Sequence, residues 1–495
     1  MLFCSTRNSG INVPSAHAIL NGLADDGGLY IPHSMPCFSL EEVSQMAEYS
    51  YHQIAETVLA RFLPDYTADE LHSFVKNAYG KQFDSEEVAP LVNVKNNMWS
   101  LELWHGPTCA FKDFALQMLP QLLPAAAKKC GEEKTVAILV ATSGDTGKAA
   151  LEGFADVEGT KICVFYPHGG TSDIQRMQMV TQTGENVNVF AVKGNFDDTQ
   201  NGVKAIFTDS EMENELAENG IMLSRANSIN WGRLAPQIVY YYWAYSRLVK
   251  SGTIKAGDKI DFCVPTGNFG NILAGYMAKK SGLPVNRLVC ASNENNVLTD
   301  FLETGIYDKN RTFHLTDSPS MDILISSNLE RLLYMMLDDK TVKNWMKELK
   351  DNGRYNIGTD MLNRLHSEGF VGYFCDDIAT AETIKKIYDE TGYLCDTHTA
   401  VGVNAAQKYA ETENSDIPMV VVSTASPFKF APAMLNALGE KCEGDDFEKL
   451  EKLECTVKMK APSPLSELKN KQPRFEKVIE KNDMRNEVLG WLKGR

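Results

Sequence analysis

The 495-residue sequence has no apolar run approaching the ~18 residues that a membrane-spanning helix requires, so no such helix is expected. It lacks any excess of positive charge. The formal net charge is −16 and the pI about 5.1, which argues against nucleic acid or an anionic membrane as a general partner. The stretch from Met1 to Arg7 has no basic segment backed by an apolar one, so no secretory signal is expected. The 11 cysteines are scattered with no Cys-x-x-Cys pair, and the 9 histidines form no His-x-x-x-His set. A metal site is therefore not expected, and the dispersed thiols suit a cytoplasmic protein. Internal repeats and low-complexity segments are also missing.

What is present is an ordinary globular balance, 43% hydrophobic and 23% charged, on a chain long enough for two or three domains. Residues 1–92 read as a mainly helical N-terminal domain. It opens with a Ser15-capped helix stopped near Gly22, and a turn at 25–28 leads into a short strand. Helical stretches follow around 40–62 and 68–78. Residues 93–225 and 226–440 read as a small and a large α/β domain. Apolar runs at 136–141, 161–167, 187–192, 259–264, 285–291 and 418–422 suit buried parallel strands separated by short turns and helical patterns. Residues 441–495 are charged and read as a C-terminal helical tail. The expected fold class is α/β, with two open αβα units on mostly parallel sheets.

Three segments carry chemistry. In the first, Gly106 and Pro107 open a helical pattern with Phe111, Phe114, Ala115, Met118 and Leu119 on one face, and Lys112 in its first turn. An ammonium directly after a buried-type aromatic is costly unless paired; a stem that snorkels along the helix is the ordinary alternative. In the second, a strand ends in Thr142-Ser143-Gly144-Asp145-Thr146-Gly147 ahead of a helix. Such a turn aims N–H groups and the helix dipole at an anion. It is not a Walker A loop, because Gly144 and Gly147 are too close and Ala149 follows Lys148. In the third, Pro265-Thr266-Gly267-Asn268-Phe269-Gly270-Asn271 follows a strand and opens a helix. Two glycines and no Lys or Arg describe an anion held by backbone N–H groups, and the spacing disfavours a dinucleotide. The segment Asn227 to Arg233, with Ser228, Asn230 and Arg233, reads either as a capped helix start or as an anion pocket. The tyrosine-rich stretch behind it reads as packing, and His398 as a cap or hydrogen-bonded core group, with an active-site base as the alternative.

His105-Gly106-Pro107-Thr108 followed by Ala110-Phe111-Lys112-Asp113-Phe114 resembles the pyridoxal-phosphate lysine motif of the threonine synthase family. The likeness runs from near the start to about residue 435 and is closest to the longer form of that enzyme. It implies a pyridoxal-phosphate enzyme of fold type II in which Lys112 bonds to the cofactor. It implies that Gly267, Asn268, Phe269, Gly270 and Asn271 cradle the 5′-phosphate. Thr424, with Ser423 second, would face the pyridine nitrogen. Asp145 would lie beside the 3-oxygen, where many relatives of the fold carry Asn. The resemblance places the substrate α-carboxylate on Ser143, Gly144, Thr146 and Gly147, and brings Ser228, Asn230 and Arg233 near the substrate. Arg233, Ser172 and Arg176 are candidates for the substrate phosphate.

The implied reaction converts O-phospho-L-homoserine and water to L-threonine and phosphate. Lys112, once displaced by the substrate amine, would remove an α-proton and then a β-proton; phosphate would leave from Cγ and water add at Cβ. A neutral hydroxyl at the ring nitrogen suits elimination and replacement over transamination. Three rivals stand beside this reading. One is a pyridoxal-phosphate phospho-lyase giving a keto acid, ammonia and phosphate. The second is a non-catalytic amino-acid-binding regulator. The third is a nucleotide-binding α/β protein, disfavoured by the Walker A and dinucleotide spacings above. A monomer and a homodimer are both compatible with the sequence.

Overall fold

Two mostly parallel sheets organise the chain in the computed structural model, which describes residues 1–142 and 144–494. The larger has six strands in the order Phe370–Phe374, Val285–Ser292, Ile260–Pro265, Met419–Ser423, Met98–Glu102 and Leu91–Lys95. All neighbours pair in parallel except the edge strand Leu91–Lys95, which is antiparallel. The smaller sheet has five parallel strands in the order Val478–Glu480, Val187–Lys193, Thr160–Pro167, Thr135–Ala141 and Ile221–Ser224. Helices cover both faces of such sheets, so their inner strands are near-continuously apolar instead of alternating. Ile260–Pro265, for example, is buried at every position. The α/β class with mostly parallel sheets is as read from the sequence.

Two strands lie where chain order does not put them. Met98–Glu102 leads towards Lys112, yet its parallel partner is Met419–Ser423, inside the large sheet. Val478–Glu480 belongs to the charged C-terminal stretch read as helical, and it adds an edge strand to the small sheet beside Val187–Lys193. Helices Asp446–Val457 and Met484–Leu492 lie on either side of it in sequence. Only Ile479 of its three residues is buried, a pattern too short to announce a strand.

The N-terminal region is largely helical, and Ala68–Ala78 falls on the expected stretch. It also carries a three-stranded antiparallel sheet of Asn8–Val13, Phe3–Ser5 and Tyr30–Pro32. Ser15 does not cap the first helix. That helix is Ser15–Asn21 with Pro14 at the cap position, and the Ser15 hydroxyl bonds to Asp65. Its stop at Gly22 is as read: φ is 72°, and a Cβ there would lie 2.4 Å from the Arg225 carbonyl oxygen.

Helices Lys112–Lys129 and Asp145–Phe154 approach each other at Gly153, where a Cβ would lie 1.8 Å from the Leu116 carbonyl oxygen. The first residues of these two helices are Lys112 and Asp145, so this packing sets how those side chains meet. Gly153→Ala is expected to lower the unfolding free energy by about 3 kcal/mol, because a backbone carbonyl cannot step aside as a flexible side chain can. A lower urea midpoint is the readout; an unchanged midpoint would show that the helices part at no cost.

Candidate active site

Loops that follow the carboxyl ends of parallel strands meet around Lys112, where open α/β sheets bind their ligands. Lys112 is the first residue of its helix, in the first turn as read from the sequence. Its Nζ lies 3.4 Å from Asp145 Oδ2 and 3.3 Å from Ser320 Oγ, with the Phe111 ring 4.9 Å away. Burial pushes the Lys112 ammonium below its ordinary pKa. Asp145 opposes that shift, while the charges of Lys429 and Arg233 add to it. Asp145 starts the neighbouring helix, and its Oδ1 accepts from Lys429 Nζ at 2.7 Å and from Gln175 Nε2 at 3.1 Å. Burial alone would raise this carboxyl, but Lys429 and Lys112 hold it far below the usual carboxylate range. An ionised Asp145 accepts hydrogen bonds and cannot donate one.

Ser320 joins the loops. Its hydroxyl also lies 3.4 Å from Asp145 Oδ2, and its carbonyl oxygen is 3.0 Å from where a Cβ on Gly267 would stand. Its N–H donates to His398 Nε2 at 3.1 Å. That contact makes Nε2 the acceptor, so Nδ1 carries the hydrogen directed at Asp396 Oδ1, 2.9 Å away. Asp396 in turn caps the helix Thr397–Glu413. His398 is therefore the hydrogen-bonded core group of the sequence reading. Ser320, Gln175 and Lys429 are neighbours of Lys112 or Asp145 that the sequence did not single out as site residues. For Lys429 a signal existed: an ammonium between Phe428 and Phe430, the same oddity that marks Lys112.

In the 142–147 loop, Ser143 lies outside the described residues. The N–H groups of Gly144 and Gly147 both donate to Thr142 Oγ1, at 3.0 and 3.1 Å, so they are engaged inside the loop. Thr146 is half-buried. In the third loop, Phe269 takes a left-handed φ of 64° at the start of the helix Gly270–Lys280. The Gly267 carbonyl accepts from Ser326 Oγ at 2.6 Å and the Asn268 carbonyl from Asn328 N at 3.0 Å. The carbonyls are thus tied to the protein, while the N–H groups of the first turn have no intrahelical partner. Asn271 Oδ1 accepts from the Tyr240 and Tyr241 hydroxyls at 2.6 and 2.8 Å, and its Nδ2 is buried with no partner. The tyrosine-rich helix packs as read, but these two hydroxyls also orient Asn271.

The segment before that helix divides. Ser228 Oγ lies 3.3 Å from Ser327 Oγ. Asn230 caps the helix Trp231–Lys250 through Gly232 N at 2.8 Å, and its amide nitrogen donates to the carbonyls of Ile19 and Arg225, each at 2.8 Å. Both side-chain N–H hydrogens of Asn230 are thus used within the protein, so of the two readings open in the sequence the structure gives the capped helix start, and not the substrate-side role that the resemblance implied. Arg233 is different. It is buried, and among the described residues its Nη1 reaches only the Ala226 carbonyl, at 3.3 Å, and its Nε has no partner. Burial lowers the guanidinium to about 10, and no carboxylate pairs with it among the described residues. Ser172 caps the helix Asp173–Val180, and Arg176 pairs with Asp173 at 3.4 Å. At the end of the large sheet, Ser423 Oγ lies 3.1 Å from Trp104 Nε1 and 3.0 Å from Thr399 Oγ1. The buried Thr424 side chain makes no hydrogen bond among the described residues, which leaves its hydroxyl available to a ligand.

The chain matches the family models described as Threonine synthase N terminus over residues 2–79, Pyridoxal-phosphate dependent enzyme over 83–425, and Threonine synthase, C-terminal over 399–487. It is 41% identical to the threonine synthase of Pseudomonas aeruginosa over 88% of this chain and 90% of that one. The chain belongs to the threonine synthase family. The PLP-bound threonine synthase from Brucella melitensis superposes with a TM-score of 0.89 at 37% identity, covering 100% of this chain and 99% of that one. Human threonine synthase-like 1 is 40% identical over 86% of this chain and 58% of its own length. Membership makes the protein a pyridoxal-phosphate-dependent lyase of threonine biosynthesis, as the Lys112 motif implied.

Two structural observations test the fit of that cofactor. A buried amide donor without a partner, Asn271 Nδ2, stands at a helix start beside a loop whose carbonyls are tied back. Lys112 and Lys429 share the carboxylate Asp145, and the Arg233 charge also bears on Lys112, an excess of positive charge that an anionic ligand corrects. The residues present fit a phosphorylated, anionic cofactor. No helix among the described residues is long and apolar enough to cross a membrane.

Proposed function

We propose that this threonine synthase family member converts O-phospho-L-homoserine and water to L-threonine and phosphate, with Lys112 as its catalytic residue. The excess of buried cations around Lys112 carries the reading, since the substrate brings a carboxylate and a phosphate to a site short of anions. Gly267 to Asn271 would hold the cofactor phosphate, Asp145 would lie at its 3-oxygen side, and Thr424 would offer a neutral hydroxyl to the ring nitrogen. Bound pyridoxal phosphate supplies an electron sink for the substrate's α-carbon. Lys112 takes and returns the protons at Cα, Cβ and Cγ, and its burial shifts the amine in the direction that a base requires. The substrate carboxylate is assigned to the Ser143–Gly147 loop, with Thr146 as donor and Gly144 and Gly147 shaping the turn. Arg233, with its unpartnered Nε, is the first choice for the substrate phosphate, and Ser228 lines the same side. Closure of the small-sheet unit over the large one would keep water out until the phosphate has left.

The remaining assignments belong to the same proposal. The protein works in the cytoplasm on a small molecule, without nucleic acid or membrane, as a monomer or homodimer. The described cysteines are all free thiols, which suits that compartment. The test is a stoichiometry. Incubated with O-phospho-L-homoserine and pyridoxal phosphate, the enzyme should release phosphate and threonine in equal amounts. Phosphate accompanied by ammonia and a keto acid would identify a phospho-lyase instead.

A further inference from the structure

Lys429 follows the last strand of the large sheet, and its side chain is 0% exposed. A buried ammonium is costly unless it is paired and hydrogen-bonded. Lys429 has both: Asp145 Oδ1 at 2.7 Å and the Thr108 carbonyl at 3.0 Å. Asp145 then offers its other oxygen to Lys112 at 3.4 Å. One carboxylate is therefore shared by two lysines, and unequally. Lys429 holds the short contact, while Lys112 is held at a looser distance.

We propose that Lys429 is a positioning residue for the reaction: its fixed charge neutralises Asp145, and this pair sets the pH at which the Lys112 nitrogen loses its proton. The proposal rests on the reading of Lys112 as the cofactor lysine. The charged groups facing Lys112 are Asp145, Lys429 and Arg233. Behind them, Asp113 is tied to Thr108, and His398 reaches the site only through the Ser320 N–H. Without Lys429, Asp145 would be an uncompensated anion beside Lys112 and would hold the proton there to higher pH. Without Asp145, Lys429 would be an uncompensated cation and would expel the proton at lower pH. Removing both leaves Arg233 as the charge facing Lys112, as it is beside the mutually neutralised pair. The two single substitutions must therefore act in opposite directions, which a loss of packing would not produce.

The experiment is a pH titration of the visible absorbance of the holoenzyme, whose midpoint reports the proton on the Lys112 nitrogen. Asp145→Asn should lower the midpoint and Lys429→Met should raise it, each by about one unit, the lower end of what an opposite charge at this distance does. Lys429→Arg should stay near wild type. The Asp145→Asn/Lys429→Met double variant should fall between the singles. A Lys429→Met midpoint that is unchanged, or that moves with Asp145→Asn, would overturn the proposal. If Lys429→Met does not fold, Asp145→Asn is compared with the double variant; equal midpoints there overturn it equally. A wild-type protein that shows no visible band with pyridoxal phosphate would overturn the reading of Lys112 itself, and this proposal with it.

Discussion

Lys112→Ala is expected to cut threonine formation by at least about a thousandfold and to abolish the visible cofactor band, with the fold intact. The activity loss combines the covalent link with the proton transfers assigned to this amine, and positioned acid–base catalysis alone contributes about 10²–10⁴. The fold should survive for a structural reason. Removing Lys112 takes away a buried ammonium whose only carboxylate contact among the described residues is the 3.4 Å one to Asp145, and Asp145 keeps Lys429 at 2.7 Å. No buried carboxylate is left unpaired. Unfolding in urea should shift by no more than about 1 kcal/mol, near the centre of point-mutant effects. Threonine quantified beside phosphate checks the first part and circular dichroism the second. Turnover within tenfold of wild type would remove Lys112 from the mechanism.

Arg233→Met is expected to move activity and stability in opposite directions. In the enzyme without substrate, Arg233 is a buried cation with one long hydrogen bond, an unpartnered Nε and no carboxylate. Exchanging a buried charge for an apolar side chain of similar length is often neutral or stabilising, by about 1–4 kcal/mol where the charge is poorly compensated. The unfolding midpoint of the variant should therefore equal or exceed wild type. The substrate phosphate, however, would lose a charge-assisted partner worth about 1.5–3 kcal/mol, and kcat/KM should fall about tenfold to a hundredfold. Steady-state kinetics and a thermal melt on the same preparations decide it. Lower stability with unchanged kcat/KM would make Arg233 a structural residue and leave the substrate phosphate to another group.

Much of the site was legible because its parts are local. A lysine wedged beside Phe111, a glycine-rich turn ahead of Asp145, and Gly267 to Asn271 between strand and helix each show their character within about a dozen residues. Period and turn chemistry operate over that range. The resemblance ranks Thr424 ahead of Ser423; folding adds a physical reason for that order, because Trp104 and Thr399 engage Ser423. Asn230 is the opposite lesson. Its place in an Asn-Ser-Ile-Asn run suggested a ligand group, and its contacts with Ile19 and Arg225 make it a tether.

The sequence by itself determined the α/β class, the strands with near-continuous apolar runs, a lysine at a helix start and two glycine turns that each lead from a strand into a helix. Each of these follows from short-range sterics, hydrogen bonding and burial pattern. Only the tertiary structure decided which strands share a sheet, so that Met98–Glu102 lies beside Met419–Ser423 and the C-terminal Val478–Glu480 extends the small sheet. It alone brought Ser320 to Lys112 across 208 residues of sequence, and Lys429 to the Thr108 carbonyl across 321. The reason is that a buried charge specifies that it must have a partner, but not which one. The partner is chosen by where two sheets and their loops place the remaining charges, and no local pattern carries that information.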